Sequence, residues 1–149
     1  MSANNDIAKL DDLIVTTIDS VKGYDHSAEH AQEGYARLFR KMAEERRGVV
    51  AELQAQSRAL GGAPKDFGSA AATIHRRFED LRVVLGGGDE AIVKEIERGE
   101  DYLKEEFERA LRGDSLGEAT RAVVEHCYGS VQRGHDRARA LKQGFAEAL

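Results

Sequence analysis

The sequence predicts an all-α fold, a four-helix bundle in which residues 1–149 form one domain with two tight turns and one long crossover. Three observations carry this. Apolar residues recur every three or four positions along four long segments, and no segment alternates with period two. Ala, Leu, Glu, Arg and Lys dominate the composition, with a single proline, Pro64, and no tryptophan. Of the three connections between the long segments, only 61–88 is too long for a turn.

The first helix is expected over 6–30, capped by Asn4, Asn5 or Asp6, with Ile7, Leu10, Ile14, Ile18 or Thr17, Val21 and Ala28 facing inward. Gly34 marks a turn. The second helix is expected over 35–60, with Leu38, Met42, Val49, Leu53 and Leu60 on one face. Gly61-Gly62 ends it with a left-handed cap, and Pro64 blocks its continuation. A short helix over 69–85 follows within the crossover and stops at Gly86-Gly87-Gly88. Asp89 is expected to cap a helix over 90–111, with Ile92, Ile96, Leu103, Phe107 and Leu111 inside. Ser115 and Glu118 have the spacing of a capping box, opening a last helix to 146 along Val124, Cys127, Val131, Ala138, Leu141 and Phe145. The single long crossover is the ferritin-like connectivity, and it makes the second and third long helices parallel.

Composition narrows the function classes. The formal charge is −5, from 22 basic and 27 acidic residues. Phosphate binding needs a positive face, so nucleic acid is not the expected partner, and Arg46-Arg47 reads as a solvated face or as salt-bridge partners. One cysteine, Cys127, excludes an internal disulfide and a cysteine-based zinc cluster. It sits on an apolar stripe and reads as a small core residue. Met1 to Asp6 carries no apolar leader and no apolar run approaches a membrane span, so a soluble cytoplasmic protein is expected.

The hints of chemistry are titratable residues at apolar positions. Glu97-Arg98-Gly99-Glu100-Asp101 and Gln132-Arg133-Gly134-His135-Asp136 are near-copies in the third and fourth long helices. Glu100 and His135 stand where the spacing calls for apolar side chains, as do Glu45 and Asp25 in the other two helices. Antiparallel pairing about the turn near Gly113 puts Glu97 opposite Gln132, with His135 within a turn or two of Glu97 and Glu100. A buried carboxylate or imidazole must be paired, hydrogen-bonded or metal-bound. Glu45, Glu97, Glu100, Gln132 and His135 are therefore the metal candidates, for iron or zinc. They match only part of a di-iron carboxylate set, because Gly48 stands where a second histidine belongs. The alternative is a satisfied polar layer that fixes helix register. His26-Ser27-Ala28-Glu29-His30 has the His-x-x-Glu-His spacing of one metallopeptidase class, without a further ligand segment. His26 and His30, one helical turn apart, form a secondary zinc candidate. Each long helix also carries a basic–Gly pair: Lys22-Gly23, Arg47-Gly48, Arg98-Gly99 and Arg133-Gly134. Glycine inside a helix costs roughly 1 kcal/mol against alanine, so the four pairs suggest either close backbones or a large neighbouring side chain, or else a chance pattern in a chain with 15 glycines.

Leu10-Asp11-Asp12-Leu13-Ile14, Gly23-Tyr24, Leu60-Gly61-Gly62-Ala63-Pro64, Ile74-His75-Arg76, Glu97-Arg98-Gly99-Glu100-Asp101 and His135-Asp136-Arg137-Ala138-Arg139 carry a resemblance. Over nearly its whole length the chain resembles bacterial ferritin-like four-helix-bundle proteins known only as a domain of unknown function. That resemblance implies the bundle and a stress-associated role, and brings no activity with it. Two functions are consistent with the sequence. One is a non-catalytic binding module that forms a homo-oligomer, a dimer at least. The other is a metal-dependent oxidase or storage protein with an incomplete site.

Overall fold

The computed structural model describes residues 3–68 and 88–148, with side chains as far as residue 144. Four helices make up the described fold: α1 (Ala3–His30), α2 (Glu33–Ala59), α3 (Asp89–Leu111) and α4 (Glu118–Ala148). No strand occurs among the described residues. The expected short helix at 69–85 and the side chain of Phe145 lie outside them.

α1 packs against α2 and α3, and α4 packs against α2 and α3, so α2 and α3 face each other across the diagonal. Directions follow from the contacts. Gln56 donates to Thr120 while Arg137 reaches Glu45, so α2 and α4 are antiparallel. Tyr128 donates to Glu108 while Lys142 reaches Glu97, so α3 and α4 are antiparallel as well. α2 and α3 are therefore parallel, as the one-crossover topology requires. The start of the crossover already climbs back along α1. Gly62 lies against Ile7, and Gly68 lies against Ile18 and Asp19.

The ends are built from local chemistry. α2 stops in a Schellman motif: Gly62 N–H donates to the Ser57 carbonyl and Gly61 N–H to that of Arg58. Gly61 has φ +90°, a conformation in which a Cβ would be strained. Three expected boundaries shift. α2 begins at Glu33, so Gly34 lies inside its first turn. Gly88 precedes α3, and Asp89 is its first residue, whose carboxylate accepts the Gln32 N–H at 3.2 Å. α4 starts at Glu118, after Gly117, so Ser115 stands outside the helix; its carbonyl accepts from the Asn5 amide at 2.9 Å. Asp6, inside α1, does not cap that helix. It is buried, and both its oxygens accept the Gly117 N–H, at 3.2 and 3.1 Å. Asp89 and Asp6, two of the expected caps, thus spend their carboxylates on ties between chain segments.

The core forms two apolar clusters. One gathers Leu10, Ile14, Val49, Leu53, Leu103, Phe107, Val124 and Val131 around the α3–α4 turn. The other gathers Tyr24, Phe39, Met42, Ile92, Ile96 and Ala138 toward the α1–α2 turn. A layer of polar side chains lies between them.

Candidate functional site

The layer is centred on Arg46. The α2 stripe runs Phe39, Met42, Ala43, Arg46, Val49, Val50, Leu53, so steps of three and four from both sides converge on position 46. A long side chain there must enter the core. Its guanidinium crosses the bundle to Glu100 on α3 and donates to both carboxylate oxygens at 2.5 Å. Both side chains are 2% exposed. Arg46 also donates to Ser20 Oγ at 2.9 Å, on α1, and reaches the Val131 carbonyl, on α4, at 3.5 Å. All four helices thus meet at one cation.

Two neighbours complete the environment. The Arg46 Cζ lies 5.8 Å from the centre of the Tyr24 ring, within range of a cation–π attraction. The Tyr24 hydroxyl is buried and has no hydrogen-bond partner of good geometry among the described residues. Burial, and then the nearby Glu100 carboxylate, raise its pKa well above the ordinary phenol range. On the other side is Gly134. A Cβ at this position would overlap Arg46 Nη2 and lie 3.0 Å from Glu100 Oε2. The glycine leaves the space the guanidinium fills. Burial opposes the Arg46 charge, and the Glu100 carboxylate more than offsets it, so the pKa stays above its usual value.

The sequence-predicted residues fall around this centre without converging. Glu100 belongs to Arg46. Glu97 is held by Lys142 at 2.6 Å. Glu45 is only half-buried and pairs with Arg137 at 3.2 Å. Gln132 is exposed. Asp25, half-buried, pairs with Arg47. His135 is buried as expected, but its carboxylate neighbours are Asp101, at 2.6 Å from Nε2, and Asp136, at 3.4 Å from Nδ1, and not Glu97 or Glu100. The expected facing of Glu97 and Gln132 fails for a geometric reason. Side chains lean toward the N-terminus of their own helix, which moves contacts in an antiparallel pair about one position later on each chain, and the rest of the shift is an axial stagger of α3 against α4. Asp101–His135 and Glu108–Tyr128 lie roughly two turns further along α4 than that symmetry predicts. Glu45, Glu97, Glu100 and His135 do not gather into one ligand set among the described residues. Each is held by a side chain of another helix, an arrangement that does not fit a carboxylate-bridged metal centre.

His26, Glu29 and His30 do gather. They lie at the end of α1, outside the polar layer. Cys127 is buried, with its thiol 3.3 Å from Glu52 Oε2. Burial, then that carboxylate, push the thiol pKa well up, which is the state of an inert core cysteine.

The basic–Gly pairs turn out not to be one device. Gly134 is forced by Arg46, whereas a Cβ at Gly48 would meet nothing within 4 Å. Gly48→Ala is therefore expected to stabilise the protein by about 0.5–1 kcal/mol through helix propensity and the unfolded chain, read as a raised midpoint in thermal unfolding.

No helix among the described residues is long and apolar enough to cross a membrane. No curated protein matches the chain. Residues 5–113, which contribute Ser20, Tyr24, Arg46 and Glu100 to the polar layer, match a family model described as a domain of unknown function, DUF2383. On that match, over well more than half its length, the chain belongs to the DUF2383 family.

Proposed function

We propose that this protein is a non-catalytic binding module that works as a homodimer through the outer faces of its helices. The observation that carries the reading is the use of the inner charges. Arg46 and Glu100 are spent on each other, and Glu97, Glu45 and His135 each hold a side chain from another helix. A catalytic centre needs groups aimed at a substrate, whereas these groups hold the bundle together. Association is supported by the outer face of α3. Tyr102 is 59% exposed, and one turn before it Gly99 leaves open space where a Cβ would stand. A tyrosine beside a notch suits a contact between copies. The resemblance to ferritin-like bundles adds a stress-associated setting to this reading, and the cytoplasmic setting is the one expected from the sequence.

Light scattering is the test. A dimer of the 16.4 kDa chain is expected, converted to monomer by Tyr102→Lys with unchanged helical content. A wild-type monomer across a wide concentration range overturns the proposal. Iron that copurifies and is lost on Glu97→Gln would instead support the metal-dependent oxidase or storage reading.

A further inference from the structure

We propose that the C-terminal turn of α1 is a binding site for a divalent transition-metal ion of the zinc class, with His26, Glu29 and His30 as its ligands.

The three residues stand at i, i+3 and i+4, the positions that share one face of a helix. One ligand atom from each lies within 4.8 Å of the others. The two imidazole rings are neighbours, with centroids 4.6 Å apart and planes at 55°. Zinc bonds to nitrogen of about 2.0–2.1 Å in a tetrahedron need ligand atoms roughly 3.3 Å apart. Small changes in side-chain torsion close that difference. Glu29 and His30 are exposed, so those changes meet no packing.

The placement also favours a cation. His26, Glu29 and His30 fall in the last five residues of α1, where unpaired carbonyls give the helix its negative end. Two imidazoles and one carboxylate suit zinc, nickel or copper(II) better than calcium or magnesium, which prefer oxygen alone. Three ligands from one helix leave the fourth position to water. The ion exchanges with solvent, and the site is separate from the Arg46 layer.

Calorimetric titration of the full-length, chelator-stripped protein with zinc tests this. Wild type is expected to take one zinc per chain. His30→Ala should bind at least ten-fold more weakly, and the His26→Ala/His30→Ala double variant should not bind. His126→Ala, at an exposed histidine elsewhere in the bundle, should match wild type. Thermal unfolding gives an independent readout: saturating zinc should raise the midpoint of wild type and leave that of the double variant unmoved. Wild type that takes up no zinc, or His30→Ala that binds it as tightly as wild type, overturns the proposal. Calorimetry reads the ion whether or not the chain dimerises, so this result stands apart from the light-scattering test.

Discussion

Replacing Arg46 by alanine is expected to cost about 3–5 kcal/mol of folding stability. A domain of this kind has roughly 5–15 kcal/mol in total, so one substitution removes a large share of it. The reason is the orphan it leaves. Glu100 is 2% exposed and has both oxygens on the Arg46 guanidinium. Without that partner it is a carboxylate in an apolar core, beside the volume the arginine vacated. Glu100→Ala should cost at least as much. A lone carboxylate can take up a proton, whereas a lone guanidinium cannot lose one. Chemical denaturation of both variants measures the two losses, and an Arg46→Ala loss below about 1 kcal/mol would mean that the pair is not sealed from water.

Gly134→Ala is the second large effect, and its sign is opposite to helix propensity. Alanine should gain roughly 1 kcal/mol inside a helix. At this position its Cβ overlaps Arg46 Nη2 and stands 3.2 Å from Arg46 Cζ. The guanidinium cannot swing aside, because Glu100 and Ser20 hold it. A net loss of about 1–3 kcal/mol is expected, as for other overpacked core positions. In the Arg46→Ala background the guanidinium is gone, and Glu100, released from it, can turn away from the new Cβ 3.0 Å from its Oε2, so the same substitution should stabilise by about 0.5–1 kcal/mol. Thermal melts of the two pairs of proteins read this reversal. A Gly134→Ala effect of the same sign in both backgrounds would place the guanidinium elsewhere.

The apolar stripes of all four helices were legible in the sequence because a 3.6-residue period leaves the same trace wherever the helix packs. Leu10, Leu53, Phe107 and Val124 are all fully buried. The left-handed stop at Gly61 was legible because only glycine is relaxed at that backbone angle. The polar layer was half legible. Glu100 and His135 stood out as titratable residues among apolar ones, and both are buried. Arg46 was passed over for Glu45, although its place on the stripe is the better one. A neighbouring arginine suggested a surface run, although the steps of three and four from Met42, Ala43, Val49 and Val50 single out position 46. Their environments differ completely: Arg46 is 2% exposed, while Arg47 is 45% exposed and pairs with Asp25. The role of Gly134 was not readable from its own surroundings in the chain. The group it makes room for is in another helix, and Gly48 sits in a similar basic–Gly pair with empty space around it.

The central claim is that the charged layer exists to satisfy itself and to fix how the four helices meet. A double-mutant cycle across Arg46 and Glu100 tests it most directly. Arg46→Met, Glu100→Leu and the double variant are unfolded in guanidinium chloride beside wild type. Each single substitution should lose about 3–5 kcal/mol, and the double variant should return to within about 1 kcal/mol of wild type or exceed it, with its helical signal intact. A double variant that falls by the sum of the two single losses would contradict the account, because the two charges would then be serving something other than each other.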